Sequence, residues 1–520
     1  MRGSESRQTT LPSGWVRTSV ASILQTLESG GRPKGGVKEI HDGIPSIGGE
    51  HVQYGGGFDF SHIRYVTKHF FESMVRGRIH AKDVLVVKDG ATTGKTAHVS
   101  ESFPFAEAAV NEHVFIFRVL HEMTDSKFLS FWLQSSDGQK CVSENFQGTA
   151  QGGINASFAT NAILPFAPYR EQQRIVAKIE ELFTKLDAGV GELRKAQTQL
   201  RRYRKAVLNA AVTGELTKDW RQAHGGDVEP ASQLLDCILK ERRKRWEADQ
   251  QKKMKAAGKN TNIDEWKKKY VELSEIETNN TSSLPAGWTV ASIDQVAECL
   301  DHRRVPINKQ ERSNRLGSVP YYGANGQVGW IDDFLFDEPL VLIVEDETFT
   351  GREKPFSYKI EGKSWVNNHA HVLRATGAVD INYLNYSLAF YPFPPLTTGT
   401  TGRKKLTRQV LMAAPFRLPP MSEQQQIVSV VERALSIADV MEQTMEQSLK
   451  QAEHMRQSIL KQAFEGKLAP QDPKDEPAEV LLERIKIERT KCEAEKGATS
   501  KPSRGRFRKK QNKRTQGVAA

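Results

Sequence analysis

The sequence EQQRIV at residues 171–176 returns as EQQQIV at residues 423–428, and each copy opens a long stretch with the same apolar spacing. Apolar residues follow at alternating intervals of three and four, beginning with Val176, Ile179 and Phe183 in the first copy. This spacing is typical of a coiled-coil helix. A proline stands shortly before each stretch, and the glutamate favours a helix start. The sequence therefore predicts two long helices.

We expect these two helices to pack on each other, because an exposed apolar stripe of about five heptads on each would favour aggregation. The duplication favours an antiparallel pair with one globular domain at each end, so that the helices hold two domains at a fixed separation. In the alternative arrangement, each helix covers only its own domain. Arg204 and Arg456 occupy equivalent positions in the apolar stripe, where they either set the register or extend their charges to solvent.

The repeat extends upstream of the helices. LPSGW at residues 11–15 matches LPAGW at residues 284–288, and VNEHVFIFR at residues 110–118 matches VNNHAHVLR at residues 366–374. The offset between copies changes along this part of the chain, so the loops differ in length. Short apolar runs bounded by polar residues, such as DVLVV at residues 83–87 and its counterpart LVLIV, predict buried strands.

The predicted fold class is α+β, with two mixed α/β domains separated by a pair of long antiparallel coiled-coil helices, as a pseudo-twofold duplicated module. The predicted segments are a disordered N-terminus at 1–10, the first domain at 11–166, the first long helix at 167–216, a basic helical linker at 217–283, the second domain at 284–418, the second long helix at 419–468 and a basic, partly disordered tail at 469–520.

Composition excludes several classes of protein. The chain has 520 residues, of which 38% are hydrophobic and 26% charged, so it can bury cores. An apolar run of 18 residues is absent, which excludes a membrane span, and the first residues contain no secretory signal. The four cysteines are far apart, so neither a disulfide scaffold nor a zinc ribbon is expected. We therefore expect a protein of the reducing cytoplasm.

Basic residues are concentrated in two segments. The net charge is +11, and residues 240–269 contribute +7 while residues 496–514 contribute +9, which leaves −5 for the rest of the chain. One interpretation is that both segments are solvated and flexible. In the other, they are a nonspecific anchor for phosphate groups that strengthens binding at low salt.

Catalytic motifs were considered and set aside. GATTGKT at residues 90–96 has three residues between its glycines where a phosphate-binding loop needs four, and the second copy lacks the lysine-threonine pair. No GxGxxG motif follows a predicted strand, so a dinucleotide or methyl-donor site is not supported. His113 and His369 fall in matching predicted strands, and we interpret each as a hydrogen-bonded strand histidine, since a metal site requires more clustered ligands.

Taken together, these features resemble the DNA-specificity subunit of type I restriction-modification systems. The resemblance rests on the duplicated EQQ helix start at Glu171 and Glu423, on the strand followed by DGATTGK, and on VPYYGANGQVGWIDDFLF at residues 319–336, which matches a common style of recognition domain in that family. It covers about residues 11–216 and 284–468. The basic linker and the basic tail depart from the family pattern.

The resemblance implies a non-catalytic subunit that binds double-stranded DNA. Each variable domain would read one half of a split target, and the helices would set the spacer and dock two methyltransferase subunits that modify adenine. Restriction subunits, which translocate and cut DNA, would join this core. No cofactor is expected in this subunit, since S-adenosylmethionine, ATP and magnesium would belong to the partners. No membrane contact is expected.

Sequence reading requires polar side chains on loops that glycine shapes. Each candidate is either a base contact or a solvated surface residue. The candidates are Lys88, Thr92, Thr93, Lys95, Asn145, Gln147, Thr149 and Gln151 in the first domain, and Arg303, Arg304, Asn325, Arg352, Lys354, Arg403, Lys404 and Lys405 in the second.

Two rival functions remain open from the sequence alone. In one, the protein is an assembly scaffold whose variable domains bind proteins instead of DNA. In the other, it is a nuclease that acts without partners. DNA affinity tests the first rival, and incubation of the purified chain with DNA and magnesium tests the second.

Overall fold

The computed structural model describes residues 11–148, 152–224, 226, 228–257, 264–270, 284–347, 349, 352–399 and 404–499. The chain divides into two compact units, the first formed by residues 1–192 and 448–520 and the second by residues 193–447. The predicted disordered segment 1–10 and the candidates Thr149, Gln151 and Arg403 lie outside the described residues. Among the described residues, no helix is long and apolar enough to cross a membrane.

The first sheet domain is built around a strand that is buried along its whole length. The strands are β1 (Val16–Ser19), β2 (Leu24–Ser29), β3 (Ile44–Ile47), β4 (Arg64–Val66), β5 (Val84–Val87), β6 (Thr96–His98), β7 (Ala109–Val110), β8 (Val114–Val119) and β9 (Ile163–Phe166); the helices are α1 (Val20–Ile23), α2 (Lys68–Ser73), α3 (Ser126–Gln134), α4 (Ser136–Glu144) and α5 (Phe158–Asn161). The central four-stranded sheet is antiparallel and has the order β2-β8-β5-β6, and a smaller sheet has the order β4-β3-β7.

The first long helix and the linker follow this domain. Helix α6 (Tyr169–Thr213) is one uninterrupted α-helix, and Gly214 follows it in the left-handed conformation that glycine adopts without strain. The linker contains α7 (Lys218–His224) and α8 (Ala231–Ala256).

The second sheet domain repeats the central sheet of the first. The strands are β10 (Thr289–Ser292), β11 (Ala297–Cys299), β12 (Val319–Gly323), β13 (Gly326–Ile331), β14 (Phe336–Asp337), β15 (Leu340–Val344), β16 (Asp346–Glu347), β17 (Ser357–Ile360), β18 (Lys363–Val366), β19 (Ala370–Ala375), β20 (Lys404–Lys405) and β21 (Pro415–Leu418); the helices are α9 (Ile293–Val296), α10 (Lys309–Ser313), α11 (Ile381–Ala389) and α12 (Arg408–Ala413). The four strands of the central sheet are antiparallel and have the order β11-β19-β15-β17, and a second sheet has the order β13-β12-β18-β14.

Two helices complete the chain. Helix α13 (Met421–Phe464) is the second long helix, and α14 (Ala478–Thr499) lies in the segment predicted as a partly disordered tail. The buried strands predicted at residues 83–87 and 340–344 correspond to β5 and β15, whose side chains are all buried. The predicted fold class is therefore confirmed.

The long helices pack antiparallel within each unit. In the first unit, Phe183 near the start of α6 lies under the guanidinium of Arg456 near the end of α13, 4.1 Å from it. In the second unit, the end of α6 shares a hydrophobic cluster with the start of α13, including Val207 and Val428. The alternative in which each helix covers only its own domain is wrong.

Arg204 and Arg456 form ion pairs across the helix pair. Arg204 binds Asp439 at 2.5 Å and Glu442 at 2.6 Å, and Arg456 binds Asp187. Asp187 and Asp439 are themselves equivalent in the repeat, since both pairs are offset by 252 residues. Each pair fixes which turn of one helix faces which turn of the other, as expected of charged residues that set register.

The linker helix α8 packs on the second sheet domain and the tail helix α14 packs on the first, through the same backbone hydrogen bond. The backbone N–H of Ala231 in α8 donates to the carbonyl of Gly287, and the N–H of Ala478 in α14 donates to that of Gly14, both at 2.9 Å. Each glycine belongs to the repeated LPxGW sequence. The linker helix thus completes the second sheet domain and the tail helix completes the first.

Candidate functional site

The two sheet domains share one polar constellation at the end of their central buried strand. In the first, the N–H of Lys88, just after β5, donates to the carbonyl of His113 at 2.9 Å. In the second, the N–H of Glu345, just after β15, donates to the carbonyl of His369 at 3.1 Å. The next residue in each case is an aspartate, and its carboxylate reaches the same histidine.

The aspartate and histidine side chains are hydrogen-bonded to each other in both domains. His113 Nδ1 lies 2.5 Å from Asp89 Oδ1, and His369 Nδ1 lies 2.8 Å from Asp346 Oδ1. The imidazoles are 47% and 52% exposed. Neither histidine lies in a strand, because each occupies the turn before β8 or β19. Their interpretation as strand histidines was therefore wrong.

An asparagine side chain closes the turn that carries each histidine. Asn111 Oδ1 accepts the N–H of His113, and Asn367 Oδ1 accepts that of His369, both at 2.9 Å. The asparagine backbone N–H groups in turn donate to the ends of β3 and β12. The imidazole is thus held on a fixed turn at a point where three strands end.

The candidate residues of the first domain lie on two loops that meet beside this pair. One loop, residues 88–95, carries Lys88, Thr92, Thr93 and Lys95; the other carries Asn145 and Gln147. The loops join where Asp89 and Gln147 each form a β-bridge with Gly153. The structure therefore brings together the described candidates of this domain.

Several of these candidates have partners of their own. Lys88 Nζ lies 5.3 Å from the ring of Phe115, and Lys95 Nζ lies 4.7 Å from the ring of the exposed Tyr54. The hydroxyl of Thr93 donates to the carbonyl of Gly90, and Asn145 accepts from Asn161. Gln147 is exposed and accepts from Asn155. A loop built this way presents polar side chains in defined orientations.

The candidates of the second domain divide into two groups. Arg352 donates to Asn325 at 2.8 Å and to the carbonyl of Pro355 at 3.0 Å, and Lys354 beside it is exposed. Lys404 and Lys405 form β20, which pairs with β16 directly after the central strand. Lys405 Nζ also binds Glu345 Oε1 at 3.1 Å, but the lysine side chain remains 57% exposed.

Arg303 and Arg304 serve structural contacts instead. Arg304, 13% exposed, binds Glu345 at 2.6 Å and also the carbonyl of Ala370. Arg303 binds Glu338 at 3.3 Å and donates to the carbonyl of Leu335. Burial raises the pKa of Glu345, but the hydrogen bond from Arg304 and the nearby charges outweigh it and hold that pKa below its usual value. Truncating Arg304 would leave a buried carboxylate with one partner fewer.

A cluster with metal-ligating residue types contains a histidine whose two ring nitrogens are both already hydrogen-bonded. Cys299, Asp301 and His371 present ligand atoms within 4.8 Å of one another. His371 Nδ1 contacts Asp301 at 2.6 Å, and its Nε2 contacts the carbonyl of Leu406 at 2.8 Å, so both nitrogens face oxygens that only accept. Burial raises the pKa of the Cys299 thiol to about 11. These residues do not fit a metal site, and they anchor the loop after Lys405 instead.

Two parts of this polar constellation were not predicted from the sequence: the aspartates and the strand that ends beside the asparagine. No local pattern marks Asp89 or Asp346, because each reaches its histidine only after folding. The second part is the strand that ends beside the asparagine, where IPSIG at residues 44–48 corresponds to VPYYG at residues 319–323. The shared proline and glycine are the signal that aligns them, at an offset that differs from those of the other repeats.

Comparisons with known proteins agree with this architecture. Residues 285–451 match the model of the type I restriction modification DNA specificity domain. The chain is 24% identical over 390 residues to the EcoDI type I restriction enzyme specificity subunit of Escherichia coli, covering 71% of this chain and 78% of that protein. It is 22% identical to the EcoKI specificity subunit of Escherichia coli strain K12, covering 94% and 99%.

A solved structure supports the fold over most of the chain. It comes from work on complex assembly and conformational transition of the type I restriction-modification system, and superposes with a TM-score of 0.57 at 16% identity. The match covers 88% of this chain and 99% of the solved chain.

Proposed function

This chain belongs to the DNA-specificity subunits of type I restriction-modification systems, and on that premise we propose that each sheet domain reads one half of a split duplex-DNA target. The observation that carries the proposal is the duplication of one polar constellation on matching strand ends. A pair of similar domains suits a target with two halves, much as twofold proteins suit palindromic sites. The protein is then a recognition subunit without catalytic activity of its own.

The reading side chains are proposed to lie on the loops beside the Asp–His pairs. Base edges are distinguished mainly in the major groove, where lysine, arginine, asparagine and glutamine provide hydrogen bonds. In the first domain we propose the loop from Lys88 to Lys95 and the loop at Asn145 and Gln147. In the second we propose Asn325, Arg352, Lys354, Lys404 and Lys405, of which Lys405 binds Glu345 but keeps a side chain that is 57% exposed. Arg303 and Arg304 are proposed to hold these loops in place, because each is occupied by carboxylates and carbonyls.

The partners are proposed to be two methyltransferase subunits that dock on the long helices. Helix α13 exposes Ile437, Val440 and Met441, which at this spacing share one helix face. Exposed apolar groups in a cluster are typical of a surface that another protein covers. Restriction subunits would complete the complex in the prokaryotic cytoplasm, and S-adenosylmethionine, ATP and magnesium would bind to the partners.

Methylation-sensitive genome sequencing of the source cell tests the reading function. It should reveal a motif with two specified halves and an unspecified spacer. Replacing residues 11–166 with the equivalent domain of a relative should change one half and leave the other intact. A change in both halves would contradict independent reading.

An assembly scaffold would behave differently. The reconstituted complex should bind the target duplex more tightly than duplexes of random sequence, whereas a scaffold would show no preference between them. The purified chain alone, incubated with DNA and magnesium, should leave the DNA uncut. Cleavage by the chain alone would identify a nuclease and reject the proposal.

A further inference from the structure

The hairpin formed by β12 and β13 carries an exposed valine close to the polar constellation of the second domain. A Cβ added to Gly323, the last residue of β12, would lie 3.1 Å from Asn367 Nδ2 and 3.4 Å from Val328 Cγ1. The methyl groups of Val328 therefore lie near the asparagine that closes the turn of His369. The valine is nevertheless 49% exposed. It belongs to the surface on which the reading side chains are proposed to lie.

A β-bulge sets the direction of this side chain. Tyr321 pairs with Gly329 and Tyr322 pairs with Gln327, so Val328 between them has no partner on β12. An extra residue of this kind bends its strand and changes the direction of its side chain, and such bulges are common next to functional sites. Valine is also stiff at χ1, because it is branched at Cβ. The surface therefore presents two methyl groups at a defined position.

The surroundings of the valine indicate what covers it. Strand β13 lies at the edge of its sheet, where an exposed apolar side chain favours unwanted association. The turn between β12 and β13 carries Asn325, which accepts a hydrogen bond from Arg352 at 2.8 Å. Both of these residues are proposed to face DNA. Because Val328 continues the same surface, duplex DNA is the partner that fits it.

The first domain has no counterpart of this valine. Strand β3, which corresponds to β12, ends at Ile47 and pairs with β4, which begins only at Arg64. By contrast, a turn of two residues joins β12 to β13. The two halves of a split target differ in base sequence, so a side chain that reads bases is expected to differ between the modules. Val328 meets this expectation.

We propose that Val328 contacts the C5 methyl group of a thymine in the half-site that the second domain reads. This inference rests on the proposed function. The thymine methyl is the apolar group that base pairs present in the major groove, where their other groups donate or accept hydrogen bonds. A valine placed against such a donor or acceptor would displace water without replacing the hydrogen bond, which disfavours the other bases. Val328 thus selects its base by apolar contact.

Deoxyuridine tests the proposal, because it pairs as thymidine does and lacks only the methyl group. The probes are copies of the target duplex identified by methylome sequencing, each with one thymine replaced by uracil. The half-site of the second domain is the half that remains when residues 11–166 are exchanged. Competition fluorescence anisotropy gives the affinity of the full chain in complex with its methyltransferase subunits. One replacement in that half-site should weaken binding about fourfold, as expected for one buried methyl group.

Val328→Ala should remove this dependence on the methyl group. The variant complex should bind the unmodified target more weakly, and uracil at the same position should cause no further loss. The effects of the two changes should therefore be non-additive, as for groups in direct contact. Val305→Ala is the matched control, because Val305 is a valine of the same domain with a similar exposure of 44%. It should retain the fourfold loss.

Several results would overturn the proposal. One is a half-site without thymine on either strand, or one in which no uracil replacement weakens binding. Another is a folded Val328→Ala complex that retains the fourfold loss. If Val328→Ala instead prevents assembly with the methyltransferase subunits, as measured by native mass spectrometry, the valine binds protein and not DNA. If the unaltered complex does not prefer its target over random duplexes, the proposed function itself fails, and this appears before any base or residue is replaced.

Discussion

Trp15 donates its indole N–H to the carboxylate of Glu171 across 3.0 Å, in a buried contact that joins the entry of the first sheet domain to the first turn of α6. The second module repeats the contact, from Trp288 to Glu423 at 2.9 Å. The repeated LPxGW sequence and the repeated EQQ helix start are therefore two ends of one interaction. This explains why both persist in a chain whose loops have diverged.

Trp15→Phe should destabilise the first unit by about 1–3 kcal/mol, since it leaves a buried carboxylate without its indole donor. Trp288→Phe should cost less, because Glu423 also accepts from Arg221 at 2.7 Å and from Thr217 at 2.7 Å. Chemical denaturation followed by circular dichroism measures both. Trp330→Phe is the control, as Trp330 is 53% exposed. Equal losses for Trp15→Phe and Trp288→Phe would contradict the argument.

His98 should make the first unit sensitive to acid. Burial, followed by the charge of Lys127, lowers its pKa from 6.5 to about 4, and its Nε2 contacts Ser126 Oγ at 2.9 Å. Between pH 6.5 and 4 the unfolded chain binds a proton that the folded chain does not. Stability is therefore retained above pH 6.5 and falls by about 2–3 kcal/mol as the pH drops to 4.

Urea denaturation of the wild type and of His98→Gln at a series of pH values measures this contribution. The substitution keeps a polar side chain near Ser126 but cannot titrate. Its stability should fall less steeply than that of the wild type between pH 6.5 and 4. Parallel curves for the two proteins would show that another group governs the acid sensitivity.

The ion pair between Arg204 and Asp439 should be more important for register than for stability. Both groups are partly exposed, so Arg204→Met should cost no more than about 1 kcal/mol. Arg204→Glu places a third carboxylate beside Asp439 and Glu442 and should cost more, and adding Asp439→Arg should recover most of the loss. A double-mutant cycle gives the coupling energy. Arg202→Glu, at an exposed position outside the pair, is the control.

Shortening both long helices should change the spacer of the DNA target without changing its halves. Deleting residues 193–199 and 444–450 removes one heptad from each helix, about 10 Å at 1.5 Å per residue. It retains both ion pairs, Asp187 with Arg456 and Arg204 with Asp439. Methylome sequencing of cells that express the variant should show the same half-sites at a different separation. An altered half-site with an unchanged spacer would show that the helices do not set the length of the spacer.

The periodic parts of this fold could be predicted from the sequence and the polar site could not. Burial of the heptad residues after Glu171 and of the apolar run of β5 can be predicted from the sequence, because each side chain's environment follows from its position in a regular element. Asp89 and His113 are 24 residues apart and meet only when β5 and β8 pair. The sequence near each residue contains no pattern that predicts this contact.

The arginine candidates illustrate the same limit. Residue type alone indicated Arg303 and Arg304, and it is the same for a DNA contact and for an ion pair within the domain. Their partners Glu338 and Glu345 lie in another part of the second domain, so the distinction depends on tertiary structure. For Lys354, which is exposed, type and position still agree with a DNA contact.

The docking of the tail helix α14 on the first domain has a consequence for biosynthesis. The core of the first unit includes Phe464, Leu481 and Ile485 together with Trp15 and Phe128, so this core cannot close until residues far later in the chain have been synthesised. The second unit is one continuous segment, 193–447, and can fold before the residues that follow it have been synthesised. The first domain in the chain thus completes its core after the second domain does. A product truncated before α14 would leave that core partly exposed to proteases.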